Sequence, residues 1–221
     1  MKKLLLCIVA MYIAASAFSQ SILTAGEFFK SVSEFYGTIR DFEAEVEITA
    51  ARNTMRGKVS FKRPEMLRID FSSPAGQVIL FDGDNLKIYL PPPTSAILEQ
   101  TVEGGGGPGL ATPNGLNLMS RYYTIAYETG QDAVPLEEDS DELVVNLVLY
   151  RRASSEAFTQ IRLSVSPKTK LIRRVVAYTP QGENFTFNFF NYNLNTNIST
   201  QRFIYDPPSS ANNYNNFLFS E

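Results

Sequence analysis

Three chemically versatile side chains are scarce or missing in this sequence of 221 residues. It contains no histidine, no tryptophan and a single cysteine, Cys7. Without histidine, the chain lacks the side chain that most often transfers protons near neutral pH and most often binds metal ions. Ser-His and Cys-His catalysis are therefore excluded. With one cysteine no intramolecular disulfide can form, so we expect the hydrophobic core alone to stabilise the fold.

The N-terminus has the pattern of a secretory signal peptide. Lys2 and Lys3 precede an apolar run from Leu4 to Ala17, and this run is too short to span a membrane. Small residues permit cleavage after Ala17 or after Ser19, and we favour cleavage near Ser19. The pattern thus predicts an exported, soluble protein.

Cleavage near Ser19 divides the chain into a signal peptide, residues 1–19, and one domain, residues 20–221. Lipid modification is not expected, because Cys7 lies near the beginning of the apolar run rather than at its end. The mature domain keeps 18 of the 20 basic residues against 23 acidic ones, so its net charge is −5. This balance disfavours nucleic acid as a partner, and we expect a monomer.

The pattern after the leader predicts a helix followed by antiparallel strands. Thr24 and Glu27 have the spacing of a capping box. Apolar residues then recur at helical spacing, at Phe28, Val32, Phe35 and Ile39. From Phe42 the apolar period changes to two, and short alternating runs continue to about Tyr192 without a crossover helix. The prediction is a mainly β single domain of about 9–11 antiparallel strands, with an N-terminal helix and one or two short helices in the middle.

No constellation of residues indicates catalysis. Asp82 and Asp84 flank Gly83 and have the chemistry of an acid and a base, but a hairpin turn explains the same three residues more simply. The Gly104–Gly107 run lacks the signature of a phosphate-binding loop. We predict no metal and no cofactor, and a binding protein rather than an enzyme; a histidine-free glycosidase is the enzymatic alternative. The many large apolar residues permit either a ligand cavity or an ordinary core.

An ordered series of short motifs carries a resemblance to a known family. The first half contains Gly57, Lys62-Arg-Pro64, Arg68-Ile-Asp-Phe71, Pro74 and Asp82-Gly83 followed by Leu86-Lys-Ile-Tyr89. The second half agrees more loosely, through Phe158-Thr-Gln-Ile-Arg-Leu-Ser-Val165, Phe185-Thr-Phe187 and Phe203-Ile-Tyr-Asp-Pro-Pro208. In this order the motifs resemble the LolA family of periplasmic outer-membrane lipoprotein carriers, from about Ala25 to Pro208.

The resemblance implies a strongly curved antiparallel half-barrel, with helices that form a lid over an apolar cavity. It also implies a periplasmic carrier that binds the acyl chains of lipoproteins and shuttles them from the inner to the outer membrane. The implied partners are acylated lipoproteins, an inner-membrane lipoprotein-releasing ABC transporter and, where one exists, an outer-membrane acceptor. The alternatives with the same fold are a lipid- or lipoprotein-sensing module (RseB-like) and a LolB-like receptor.

Transfer of the family pattern, residue by residue, assigns a lid latch to Arg63 of the Lys-Arg-Pro motif. A guanidinium suits this role because it carries several donors and stays charged at every relevant pH. Seven apolar strand residues match cavity positions: Leu67, Ile69, Phe71, Val78, Leu80, Leu86 and Ile88. Three residues match lid positions: Leu116, Leu118 and Met119. The tryptophans common in this family are absent here, so the shape of the pocket and the identity of the cargo stay open.

Overall fold

A computed structural model describes residues 23–102 and 111–217 of the chain. The expected signal peptide, residues 1–19, and the Gly104–Gly107 run lie outside the described residues. Within the described ranges, no helix is long and apolar enough to cross a membrane.

The first helix, α1 (Ala25–Thr38), begins where the sequence places a capping box. The Thr24 hydroxyl accepts a hydrogen bond from the Glu27 amide, and the Glu27 carboxylate accepts one from the Thr24 amide at 3.0 Å. Both contacts satisfy amides that have no partner inside the helix. The buried face of α1 is formed by Ala25, Phe28, Phe29, Val32 and Tyr36. The predicted N-terminal helix is therefore confirmed.

Thirteen strands follow within the described residues. In chain order they are β1 (Asp41–Ala50), β2 (Asn53–Lys62), β3 (Met66–Ser73), β4 (Ala75–Phe81), β5 (Asn85–Leu90), β6 (Ala96–Thr101), β7 (Tyr123–Tyr127), β8 (Val134–Pro135), β9 (Leu143–Arg151), β10 (Gln160–Val165), β11 (Ile172–Tyr178), β12 (Asn184–Leu194) and β13 (Asn212–Asn215). The second helix, α2 (Pro113–Tyr122), precedes β7, and a short 3₁₀ helix (Thr200–Phe203) follows β12. The two shortest strands, β8 and β13, account for the difference from the expected 9–11.

The strands form one open, curled sheet. Their spatial order is β13-β6-β5-β4-β3-β2-β1-β12-β11-β10-β9-β7, and β8 pairs with β9. All neighbouring pairs are antiparallel except β13 with β6. The sheet has a first half, which contains β1–β6 and β13, and a second half, which contains β7 and β9–β12. Pairing of β1 with β12, from Phe42 opposite Leu194 to Ala50 opposite Phe185, joins the two halves. The expected mainly β half-barrel with an N-terminal helix is confirmed.

Alternation of side chains gives this sheet two unlike faces. The inner face packs against α1 and α2, and on β1 it presents the buried residues Phe42, Ala44, Val46 and Ile48. The outer face of the same strand carries three glutamates, Glu43, Glu45 and Glu47. Across the outer face Lys58 pairs with Glu43 at 2.6 Å, and Arg56 pairs with Glu47 at 2.7 Å. Only the inner face is therefore apolar in this part of the sheet.

Residues 198–205, which we call the C-terminal strap, cross the outer face of the first half of the sheet. The Ile198 carbonyl accepts a hydrogen bond from Lys62 Nζ at 2.5 Å, and the Arg202 carbonyl accepts one from Arg68 Nη1 at 3.0 Å. Within the strap, Phe203 is buried. Beyond it, β13 pairs with β6, so the tail adds a last strand and covers the β6 edge.

One inward-facing position of β2 accepts no side chain. Gly57 lies between Val46 on β1 and Phe71 on β3, where the β2–β3 register shifts. A Cβ atom on Gly57 would overlap the Asp70 carbonyl oxygen and lie 3.0 Å from the Phe71 Cα. Because both neighbours are backbone atoms, the strands themselves would have to separate.

Gly57→Ala should lower the free energy of unfolding by about 1–3 kcal/mol, since the added methyl overpacks a strand pair that cannot yield locally. Urea denaturation followed by circular dichroism measures this loss. Gly26→Ala is the matched control, because a Cβ on Gly26 in α1 meets no atom within 4 Å. That change should be neutral or stabilise by up to about 1 kcal/mol. Equal effects of the two substitutions would contradict the close approach at Gly57.

Candidate functional site

Helix α1 lies across one end of the inner face. We call it the latch end, where β2 finishes at Lys62, β7 finishes at Tyr127 and β11 starts at Ile172. The Tyr127 hydroxyl donates a hydrogen bond to the Leu23 carbonyl at 2.8 Å, just before α1 begins. The Tyr36 hydroxyl, in the last turn of α1, accepts one from the Ile172 amide at 3.0 Å. Both termini of α1 are thus tied to strands at the latch end.

Arg63 follows β2 directly and lies beside the C-terminus of α1. Its Nη2 donates a hydrogen bond to the Gly37 carbonyl. Carbonyls in the last turn of a helix have no partner inside the helix and carry partial negative charge, so a guanidinium is favoured there. The Arg63 amide also donates to the Arg40 carbonyl at 2.9 Å, which fixes the backbone at this turn. The bond to Gly37 has the geometry that a latch requires, while the latch role itself stays a prediction.

Two tyrosines form a polar anchor inside the apolar interior. The hydroxyls of Tyr36 and Tyr192 lie 3.5 Å apart, and the Tyr192 hydroxyl donates to the Ile172 carbonyl at 2.9 Å. Burial raises the pKa of Tyr36 to about 12, against the weaker opposing effect of its hydrogen bonds. Burial also raises the pKa of Tyr192. Both hydroxyls therefore stay neutral near pH 7 and hold α1 against β11.

Helix α2 begins with a signal that the sequence analysis overlooked. Thr112 caps the helix, its hydroxyl accepting a hydrogen bond from the Gly115 amide at 3.2 Å, and Pro113 occupies the first turn. Of the three predicted lid residues, Leu116 and Met119 are buried and Leu118 is half-buried. Since α2 packs against α1 and β7, the two buried residues face the helix and sheet core.

Five of the seven predicted cavity residues share the inner face. Strand register aligns Leu67 with Phe81 and Leu86, and it aligns Ile69 with Ile79 and Ile88. Leu67, Ile69 and Phe71 on β3 are buried within the main core, whereas Leu86 and Ile88 on β5 are half-buried. Whether these five residues contact a ligand stays a prediction.

Val78 and Leu80 lie on the outer face, so their assignment to the inner cavity needs correction. Leu80 is opposite Arg68, and Val78 is opposite Asp70. Leu80 lines a separate outer pocket of about 220 Å³ together with residues of the C-terminal strap, Phe203 and Tyr205 among them. The apolar run on β4 fills both faces, because the strap covers the outer one. Its period therefore does not reveal which residues point inward.

Burial of the inner face changes from one end of the sheet to the other. At the latch end Phe42 and Phe61 are each 1% exposed. At the opposite end, which we call the open end and where β2 and β12 begin, Met55, Phe185 and Phe187 are only half-buried. A second half-buried group lies on β4, β5 and β6, at Ile79, Ile88 and Leu98. Apolar side chains therefore reach solvent where the helices do not cover the sheet.

Sequence reasoning missed five of these half-buried inward residues: Met55, Ile79, Leu98, Phe185 and Phe187. Phe187 carried a usable signal, because Phe185, Phe187 and Phe189 alternate with polar residues on β12. For Met55 no such signal exists, because the residues two positions away on the same face of β2, Asn53 and Gly57, are not large apolar residues. Among the described residues no cluster of three acidic or thiol ligands could hold a metal ion. Across the described strands the inner face is thus lined mainly by apolar side chains.

Comparison with known families identifies a match over most of the chain. Residues 41–106 and 117–206 match the family profile described as "Outer membrane lipoprotein carrier protein LolA". The matched ranges make up well over half of the sequence and extend through β1–β6, β7–β12 and most of α2. No curated protein sequence matches the chain.

Several solved structures share the fold. An uncharacterized conserved protein from Thermus thermophilus is 15% identical with a TM-score of 0.56, covering 86% of this chain and 98% of that one. The Mycobacterium tuberculosis lipoprotein LppX is 9% identical with a TM-score of 0.51, covering 80% and 97%. A chain of the Pseudomonas aeruginosa MucA/MucB complex is 12% identical with a TM-score of 0.51, covering 82% and 61%. At such identities these likenesses show the fold alone.

Tyr36→Phe should lower the free energy of unfolding at pH 7 by about 1–3 kcal/mol, because the buried Ile172 amide loses its acceptor. The pH dependence should change as well. With a folded-state pKa of about 12 and an ordinary value near 10, Tyr36 favours folding below pH 10. This stabilisation is lost as the pH rises from about 10 to about 12, so the decline over this range should be shallower in the variant.

Urea denaturation at several pH values measures both effects. Tyr150→Phe is the control, because Tyr150 is 49% exposed on the outer face, and it should change neither the stability nor its pH dependence. If Tyr36→Phe behaves like this control, Tyr36 does not anchor α1.

Proposed function

Because this chain belongs to the LolA family, we propose that it is a periplasmic carrier whose apolar inner face binds the acyl chains of lipoproteins. The observation that carries the proposal is the combination of an apolar inner face with a helix, α1, held over it by Arg63 at a carbonyl of its last turn. Residues 1–19 then serve as the export signal, and residues 20–221 form the carrier domain.

The physical need for such a carrier follows from the cost of exposing acyl chains to water. Each methylene removed from water is worth about 0.8 kcal/mol, so a multiply acylated protein leaves a bilayer very slowly by itself. A carrier must replace the bilayer environment with an apolar surface of its own. The inner face offers this surface without any charged side chain among the buried, inward-facing residues of β1, β3 and β12.

Binding also has to be reversible, and α1 gives a means of limiting affinity. In the structure α1 and α2 occupy the inner face with their own apolar side chains, such as Phe29 and Leu116. An acyl chain that enters must displace some of these contacts, so part of its burial free energy offsets the loss. The Arg63 hydrogen bond to Gly37 adds to the stability of the closed state and thereby weakens binding.

Two alternative functions use the same fold. A lipid- or lipoprotein-sensing module would bind the same acyl chains but pass the signal to a partner protein, and a LolB-like receptor would itself be anchored to the outer membrane. Both would share the inner face with a carrier. They differ in whether bound lipoprotein is delivered to a membrane, so transfer between membranes separates them.

Purified mature protein, secreted with its own leader, should carry acyl lipid or lipoprotein that native mass spectrometry detects. Lipoprotein should also be released from inner-membrane preparations when the protein is added. A preparation that binds no acylated compound, and releases none, would overturn the carrier proposal. Delivery to outer-membrane vesicles supports a carrier, whereas stable retention with a bound partner protein supports a sensor.

Arg63→Leu should raise the affinity for a fluorescent diacyl lipopeptide by up to about tenfold and slow its transfer to acceptor vesicles. The reason is that loss of a charge-assisted hydrogen bond destabilises the closed state by about 1 kcal/mol at this exposed position. Arg40→Leu removes an exposed arginine at the same end of the sheet and is the control. Unchanged affinity and transfer in Arg63→Leu would show that Arg63 is an ordinary turn cation.

A further inference from the structure

Charge is distributed unevenly between the two ends of the sheet. Four arginines lie in the turns and element termini of the open end: Arg52, Arg121, Arg151 and Arg152. The acidic residues in the corresponding loops are three, Glu156, Glu183 and Asp206. Most loop acids lie at the latch end, where residues 137–142 lead into β9 and contribute five carboxylates. A chain that is acidic overall therefore has one basic end.

Two arginines and two tyrosines are exposed on neighbouring segments at this end, and we call them the arginine-tyrosine rim: Arg121, Tyr122, Tyr150 and Arg152. The Arg152 amide donates to the Tyr122 carbonyl at 2.9 Å, and the Arg152 Nε donates to the Tyr123 carbonyl at 3.1 Å. Strand register places Thr124, two residues after Tyr122, opposite Tyr150. The end of α2 and the end of β9, which carry these four residues, thus lie next to each other.

All four rim residues are exposed. Tyr122 is 46% and Tyr150 is 49% exposed. Within the described parts of the chain, no ion pair joins Arg121 or Arg152 to a carboxylate, whereas Arg56, Arg162, Arg173 and Arg174 each have one. An unpaired arginine beside an exposed aromatic ring suits a surface with phosphate groups above an apolar layer, since guanidinium binds phosphate through paired donors. Tyrosine rings favour the boundary between headgroups and acyl chains.

We propose that the arginine-tyrosine rim docks the protein on a bilayer of anionic phospholipid. This inference rests on the proposed function, in which acyl chains are taken from one bilayer and returned to another. Docking through the rim would bring the half-buried Met55, Phe185 and Phe187 of the open end toward the lipid headgroups. The acidic latch end, with Arg63 and α1, would then point away from the membrane. Attraction of the basic end and repulsion of the acidic end both favour this orientation.

Vesicle co-sedimentation tests the rim with the mature protein. We compare vesicles of phosphatidylcholine that contain about 30% phosphatidylglycerol with vesicles of phosphatidylcholine alone. Binding to the anionic vesicles should be at least about fivefold stronger and should weaken as salt rises from about 0.05 to 0.3 M. Arg121→Glu should reduce anionic binding by about fivefold or more, because one charge is reversed at the contact.

Two further variants keep the test independent of folding defects. Tyr122→Ser with Tyr150→Ser leaves every charge in place and should still reduce binding, because the aromatic contact with the headgroup boundary is lost. Lys168→Glu makes the same charge change as Arg121→Glu at an exposed position of the β10–β11 turn, at the latch end, and should leave binding within about twofold of the unmodified protein. Circular dichroism checks that each variant is folded.

Three outcomes overturn the proposal: no preference for anionic vesicles, an equal loss in Arg121→Glu and Lys168→Glu, or full binding by Arg121→Glu. The diacyl lipopeptide is titrated against the same samples in the absence of vesicles, so that the two proposals are separated. Rim-dependent vesicle binding without lipopeptide binding supports the rim and overturns the carrier. Lipopeptide binding without rim-dependent vesicle binding supports the carrier and overturns the rim.

Discussion

An antiparallel sheet with one apolar face must cover that face, and in this protein only two helices of 14 and 10 residues lie against it in the described chain. They are too short to cover a sheet that extends from β13 to β7. Coverage is complete where α1 crosses the latch end and incomplete toward the open end and over β4–β6. The graded burial of the inner face, and with it the location of any apolar ligand surface, follows from this shortage of helix.

The helices are held mainly by apolar packing, and the polar contacts decide where they are held. Tyr36 reaches the backbone of Ile172, Tyr127 reaches the carbonyl of Leu23, and Arg63 reaches the carbonyl of Gly37. All three contacts use backbone groups, which do not change with the side-chain composition of the core. The buried tyrosine hydroxyl is costly to lose, whereas the exposed arginine is not. The arginine is accordingly the contact that, in the proposed carrier, a weakly binding ligand would most easily replace.

Local chemistry made the elements predictable, while the assignment of faces depended on tertiary structure. The capping box at Thr24 and the period-two run from Phe42 identified α1 and β1 because each pattern has one physical explanation. On β4 the alternation was lost, since the C-terminal strap buries the outer face as well, and Val78 and Leu80 were assigned to the wrong side. The start of α2 was readable from Thr112 and Pro113 but was overlooked. The arginine-tyrosine rim could not have been predicted, because β7–β9 pairing creates it.

The pairing of β1 with β12 has a consequence for how the chain reaches its folded state. These strands are neighbours in space but are separated by more than one hundred residues in sequence. The same holds for β6 and its partner β13. Closing such long loops is entropically costly and slow. Until the C-terminal quarter of the chain arrives, the edges of β1 and β6 are unpaired templates for strands of other molecules. Folding of this sheet therefore depends on β12 and β13, and a chain shortened ahead of β12 would be prone to aggregation rather than merely less stable.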